Sequence, residues 1–169
     1  MKTHILTERF HPDAWLGQCH LVGVFLLAEA ALSADKLTEV AFPELPKNAG
    51  KIDKDAPKVF QATKSGLKYR VLRKGTGAHP TPTKTVKVHY QGWLSNGKVF
   101  DSSYNRGQSI SFPLSGVIKG WTEGMQLVGQ GGMIELEIPP DLAYGDRGAG
   151  AAVPPKATLH FLVELLSVQ

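Results

Sequence analysis

The stretch Val88–Ser103, VHYQGWLSNGKVFDSS, decides the fold. Val88 and Tyr90 alternate with His89 and Gln91, the period of two expected of a strand with one face buried and one wet. Ser95-Asn96-Gly97 then interrupts the pattern between Trp93 and Phe100, which reads as the turn of a hairpin. The same alternation recurs on both sides. Leu67, Tyr69 and Val71 alternate with Lys68 and Arg70; Ile134, Leu136 and Ile138 with Glu135 and Glu137; and Leu159, Phe161, Val163 and Leu165 end the chain in the same way. Helical spacing occurs once, at Ile118, Trp121 and Met125, within a segment that contains Gly120 and Gly124. Each glycine costs about 1 kcal/mol relative to alanine, so this helix is short and depends on its packing. The simplest architecture is a single antiparallel sheet that curls over a single apolar helix.

The composition agrees. The 169 residues include 18 glycines and 11 prolines, and fifteen of the glycines follow Ser65, as a turn-rich β domain requires. Cys19, the only cysteine, has no partner for a disulfide, and no Cys/His cluster is spaced for zinc. A formal charge of +4, from 19 basic and 15 acidic residues, is mild and mixed. Lys68, Arg70, Arg73, Lys74, Lys84 and Lys87 read as a solvated face, and nucleic acid is not an expected partner. The dispersed histidines, His89 and His160 among them, read as solvated surface residues.

Two segments precede the domain. Leu21–Ala28 is an eight-residue apolar run followed by small residues through Ala34, the pattern of a secretory signal peptide and far short of a membrane span. Residues 1–34 are therefore expected to be a leader, with export to a periplasmic or other extracytoplasmic space; retention in the cytoplasm is the alternative. Residues 35–64 alternate Lys, Asp, Glu and Pro and read as a flexible polar tether, with Val40, Phe42, Val59 and Phe60 as weak docking points. The domain proper is expected at 65–169. Residues 35–64 hold too few periodic apolar residues for a long helical dimerisation arm, so the expected state is a monomer.

No nucleophile, phosphate-loop or metalloprotease motif is present. What stands out is a set of large apolar side chains at strand ends and loops: Tyr90, Phe100 with Asp101, Phe112, Val117-Ile118 with Trp121, Tyr144 and Phe161. Taken singly, each reads as core or as a turn residue. Their order is more specific. VHYQGWLSNGKVFDSS, then VIKGWTEGMQ, then PPDLAYGDRGAG with VPP, then ATLHFLVELL resembles the FKBP-type peptidyl-prolyl isomerases over about Gly66 to Gln169.

The resemblance implies an α+β fold, a curved antiparallel half-barrel of five to six strands wrapped around one short helix, with a proline pocket between sheet and helix. It also implies catalysis of rotation about Xaa-Pro bonds without cofactor or metal. Trp121 would form the floor, and Tyr90, Phe100, Val117, Ile118 and Phe161 the walls. The Ile118 N–H and the Tyr144 hydroxyl would contact carbonyls of the bound chain. Asp101 would be the one buried acid, steadied by the Tyr90 hydroxyl and Arg106, and Val153 would overhang the site. Implied partners are proline-containing polypeptides and macrolide inhibitors of the rapamycin type. Two positions depart from the family's usual pattern: Ile110 replaces an aromatic and Ala152 a bulky aliphatic. Both bear on substrate preference and macrolide affinity. The alternative function is a non-catalytic module that holds Pro-containing or unfolded segments in the same pocket.

Overall fold

The structure, a computed structural model, describes residues 38–169. The leader reading lies outside these residues. Seven antiparallel strands form one sheet: β1 (Gln61–Ala62), β2 (Lys68–Arg73), β3 (Thr85–Leu94), β4 (Val99–Ser102), β5 (Ile110–Pro113), β6 (Met133–Ile138) and β7 (Leu159–Val168). Their order is β1-β2-β6-β7-β3-β4, with β5 also paired to β3. The strand count exceeds the expected five to six because two short strands are recruited at the sheet's margins, one of them, β1, from the segment read as a tether.

The hairpin forms where the turn signal placed it. Leu94 and Lys98 close the turn through Leu94 N–H to Lys98 O (3.0 Å), and Gly97 has φ +81°. The single helix, α1 (Lys119–Gly124), runs on into a 3₁₀ turn at Met125–Leu127. Its two glycines have a packing reason. A Cβ on Gly120 would lie 2.4 Å from Ile138 Cγ2, and one on Gly124 2.7 Å from Leu136 Cδ2. Only a bare backbone lets α1 lie this close to β6, and the packing gained offsets the poor helix propensity.

Alternate residues build the main core on the helix side: Val86, Val88 and Tyr90 of β3, Ile134, Leu136 and Ile138 of β6, and Leu159, Phe161, Val163 and Leu165 of β7 close over Trp121 and Met125. The opposite face departs from expectation. It carries a second buried cluster, Leu72, Met133 and Leu162, capped by Phe42, Ile52 and Trp93. Residues 38–60 therefore lie on the sheet rather than extending as a flexible tether.

Arg70, expected on a solvated face, organises this contact. It is 1% exposed, its Nε donates to Glu135 at 2.7 Å, and its guanidinium donates to the carbonyls of Val40 (2.6 Å), Ala41 (2.7 Å) and Lys58 (3.1 Å). The rings of Phe42 and Phe60 lie 4.9 and 4.7 Å from its Cζ. The other basic residues of and beside β2 are also paired: Lys68 with Glu137, Arg73 with Glu164 and Lys74 with Asp55. The two strand histidines likewise depart from the solvated reading. His89 stacks on Tyr104 (4.9 Å between centroids), and His160 stacks on Trp93 (5.9 Å). Burial lowers the His160 pKa.

Candidate functional site

A cavity of about 460 Å³ opens on the helix side of the sheet, within the size range of ligand pockets. It is lined by Tyr90, Phe100, Asp101, Phe112, Gly116, Val117, Ile118, Trp121, Tyr144 and Phe161. Each part of the lining follows from a local feature of the chain. Inward positions of β3, β4 and β7 supply Tyr90, Phe100 and Phe161. Gly92, the next inward position on β3, makes room for two of these rings: a Cβ there would lie 2.7 Å from both Phe100 Cζ and Phe161 Cε1. Val117 and Ile118 arrive on the segment before α1, which is pinned by the Thr122 hydroxyl donating to Leu114 O at 2.6 Å.

Trp121, 4% exposed, projects from α1 as the floor. The rings of Tyr90, Phe112 and Phe161 meet it edge to face at 5.3, 5.7 and 5.3 Å. Its Nε1–H is buried with no protein hydrogen-bond partner among the described residues, a donor left in apolar surroundings at the base of the cavity. Phe100 packs edge to face on Phe161 at 5.5 Å and extends the aromatic wall. Tyr144, 43% exposed, stands at the rim.

One charged group reaches the lining. Asp101 accepts hydrogen bonds from the Tyr90 hydroxyl and from Arg106, and Arg106 also donates to the Tyr90 hydroxyl at 3.0 Å. Burial works to raise the Asp101 pKa, but the bonds from Tyr90 and Arg106 outweigh it and hold the carboxyl below its ordinary value. Desolvation and the bond to Asp101 push the Tyr90 phenol up. The result is a fixed carboxylate at the edge of an apolar cavity, with a neutral phenol against it. Asp101 is not, however, the most buried acid. Its side chain is 39% exposed, whereas those of Glu135 and Glu164, on the opposite face, are each 7% exposed.

Of the residues singled out in the sequence, Tyr90, Phe100, Asp101, Val117, Ile118, Trp121, Tyr144 and Phe161 line one cavity, with Arg106 directly behind Asp101. Three are placed elsewhere. Ile110, on β5 opposite Val88, is 37% exposed; Ala152 is exposed; Val153 is 3% exposed in the main core and bridges Ala149. Phe112 and Gly116 complete the lining. Phe112 carried an aromatic signal in the sequence; Gly116 carried none.

A second cleft, of about 420 Å³, lies on the outer face between residues 40–44 and the β3–β4 hairpin. Its lining includes Glu44, Glu135 and Glu137 with Trp93 and His160, a more acidic set than the first cavity's.

Residues 76–166 match the family described as FKBP-type peptidyl-prolyl cis-trans isomerase. A Haemophilus influenzae protein named "Probable FKBP-type peptidyl-prolyl cis-trans isomerase" is 48% identical over 143 residues, which cover 85% of this chain and 58% of that protein. The FKBP-type 22 kDa peptidyl-prolyl cis-trans isomerase of Escherichia coli is 53% identical over 107 residues, 63% of this chain and 52% of that protein. The chain thus spans about half the length of these relatives. The crystal structure of FkpA from Escherichia coli superimposes with a TM-score of 0.63 at 49% identity, over 65% of this chain and 51% of that one. With the matched residues carrying α1, the hairpin and every residue of the cavity lining, the chain belongs to the FKBP-type peptidyl-prolyl cis-trans isomerase family.

Proposed function

We propose that this protein accelerates cis-trans rotation about Xaa-Pro bonds in polypeptides, with the proline ring against Trp121 in the aromatic cavity. The observation that carries this reading is one apolar cavity with a single fixed carboxylate at its edge.

The barrier to this rotation, about 18–20 kcal/mol in amides generally, comes from amide resonance, and no bond needs to break. The planar amide is the more charge-separated form, and the twisted transition state has lost that resonance. Dry walls from Tyr90, Phe100, Phe112, Trp121 and Phe161 disfavour the planar form relative to the twisted one, and contacts along the flanking peptide hold the twisted conformer. Each tenfold in rate takes about 1.36 kcal/mol, within reach of shape and a few hydrogen bonds. In this reading the Ile118 N–H and the Tyr144 hydroxyl hold carbonyls of the bound chain. Asp101 acts through its charge, since a carboxyl held below its ordinary pKa stays ionised at neutral pH and makes a poor general acid.

Among the described residues the lining offers no cationic side chain, so an apolar residue before proline is favoured over an acidic one. Macrolides of the rapamycin type would occupy the same cavity. Ile110 and Ala152, outside the lining, would then tune their binding less than the residues within it. The apolar run Leu21–Ala28 and the small residues after it support export, with work in an extracytoplasmic space.

The test is a cis-to-trans rate assay of the full chain on Xaa-Leu-Pro-Phe and Xaa-Glu-Pro-Phe peptides. Acceleration of both, greater for Leu, is expected. A folded protein that binds the peptides without accelerating either would leave a holding module in place of the enzyme. For export, the mature terminus in the native cell is expected between Ala31 and Asp35, and an intact Met1 would overturn it.

A further inference from the structure

The chain leaves the β3–β4 ladder in an unusual way. The register pairs Gln91 with Ser102, and the next step would pair Tyr90 with Ser103. Half of that pair is made normally, by Ser103 N–H donating to Tyr90 O at 3.0 Å. The returning bond is not made to the Ser103 carbonyl, which accepts Gln108 N–H at 3.2 Å and so closes the turn 103–108. Tyr90 N–H donates instead to the Ser103 hydroxyl, at 2.8 Å. The same Oγ lies 3.3 Å from Tyr90 O and 3.0 Å from His89 Nδ1. Ser103 is fully buried, so the groups its hydroxyl bonds are satisfied by the protein rather than by bulk water.

The turn that Ser103 starts carries Arg106 back over β3, where it donates to Asp101 and to the Tyr90 hydroxyl and lies over the Tyr90 ring at 5.7 Å. We infer that Ser103 is a positioning residue for the site: its hydroxyl stands in for its own carbonyl in the ladder and thereby seats the turn that delivers Arg106 to Asp101 and Tyr90. It does not line the cavity; it bonds the backbone of Tyr90 and acts on the site through Arg106. His89 and Tyr104, stacked on the outer face, back the hydroxyl from the other side. This inference rests on the isomerase reading for its kinetic consequence, though not for its geometric one.

Two readouts on the full-length protein test it. In the first, NMR titration follows the Asp101 carboxyl, which Tyr90 and Arg106 hold below its ordinary value. Ser103→Ala should move it up toward that value, as should Arg106→Ala, and Ser103→Thr, which keeps the hydroxyl, should move it less. In the second, Ser103→Ala should lower kcat/KM on the Xaa-Leu-Pro-Phe peptide roughly three- to tenfold, the range for one lost hydrogen bond. In an Arg106→Ala background it should lower it no further. An unchanged Asp101 titration in folded Ser103→Ala, or losses that multiply in the double variant, would overturn the inference. If the wild-type chain accelerates no peptide, the isomerase reading fails and the titration alone decides whether Ser103 places Arg106.

Discussion

Asp101 and Trp121 do different work in the cavity, and their variants should separate. The Asp101 carboxyl is held below its ordinary value of 3.8. Its contribution to stability and to the site is therefore complete above that value and is lost as pH falls through the lower folded-state one. Asp101→Asn keeps the size and removes the charge, so kcat/KM should fall severalfold at neutral pH and lose the acid limb expected of the wild type below its ordinary carboxylate value of 3.8. A profile of Asp101→Asn that overlays the wild type would make Asp101 a structural turn residue. Trp121→Ala would remove core and floor together, about 3–5 kcal/mol, so its lost activity would say little. Trp121→Leu keeps apolar volume and should cost activity well beyond its effect on the urea midpoint. Of the expected residues that line the cavity, Tyr90, Phe100, Asp101, Trp121 and Phe161 sit on strands and on α1, where periodicity fixes which way a side chain points. Val117, Ile118 and Tyr144 lie outside them and were reached through the family resemblance. Ile110, Ala152 and Val153 lie on a short edge strand and in a loop, where no period operates. Gly116 lines the cavity with backbone, which no side-chain pattern can announce.

At the scale of elements, the segment 38–60 was the least legible. Its composition, rich in charge and proline, gives no amphipathic period, because it lies on the sheet as irregular chain held by carbonyls rather than as helix or strand. The signal lay instead at the outward positions of three strands, where Leu72, Met133 and Leu162 are apolar on a face expected to be wet. Arg70 fastens the segment, and Glu135 is its counter-ion. Burial raises the Glu135 pKa above its ordinary 4.5, and the pairing with Arg70 offsets this only in part. Raised in the folded state, this carboxyl favours folding most at acid pH and less as pH rises through its folded value. Arg70→Met leaves the carboxylate buried without its partner and frees three carbonyls, which should cost about 3–5 kcal/mol in urea unfolding at pH 7. The loss should shrink on acidification. Arg70→Met with Glu135→Leu should recover part of it, since a buried pair replaced by apolar groups is often near neutral. Faster tryptic cleavage at Lys47, Lys51 and Lys54 in Arg70→Met would report release of the segment, and unchanged cleavage would mean that Arg70 does not fasten it.

Across the whole molecule, the sheet separates two tasks. Its inner face holds the aromatic cavity and its outer face holds the segment 38–60, so the boundary of the folding unit and the boundary of the site need not coincide. Asp35–Gln169 forms one compact unit, thirty residues longer than the domain expected from sequence. Cutting the chain before Ser65 would uncover Leu72, Met133 and Leu162, all fully buried in the intact unit. At about 1.5–3 kcal/mol for each buried side chain, the loss is on the order of 4–9 kcal/mol as an upper bound. That is a large share of the roughly 5–15 kcal/mol that stabilises a typical domain. The fragment 65–169 should therefore show a much lower urea midpoint than 35–169, bind a hydrophobic dye, and still accelerate the Xaa-Leu-Pro-Phe peptide in the cold, where enough of it is folded. Its rate per folded molecule should match that of 35–169, because none of the described residues before Ser65 lines the cavity. Equal midpoints for the two fragments would show that the segment adds nothing to the fold. A folded 65–169 with a lower rate per molecule would show instead that the outer face shapes the inner one through the strands they share.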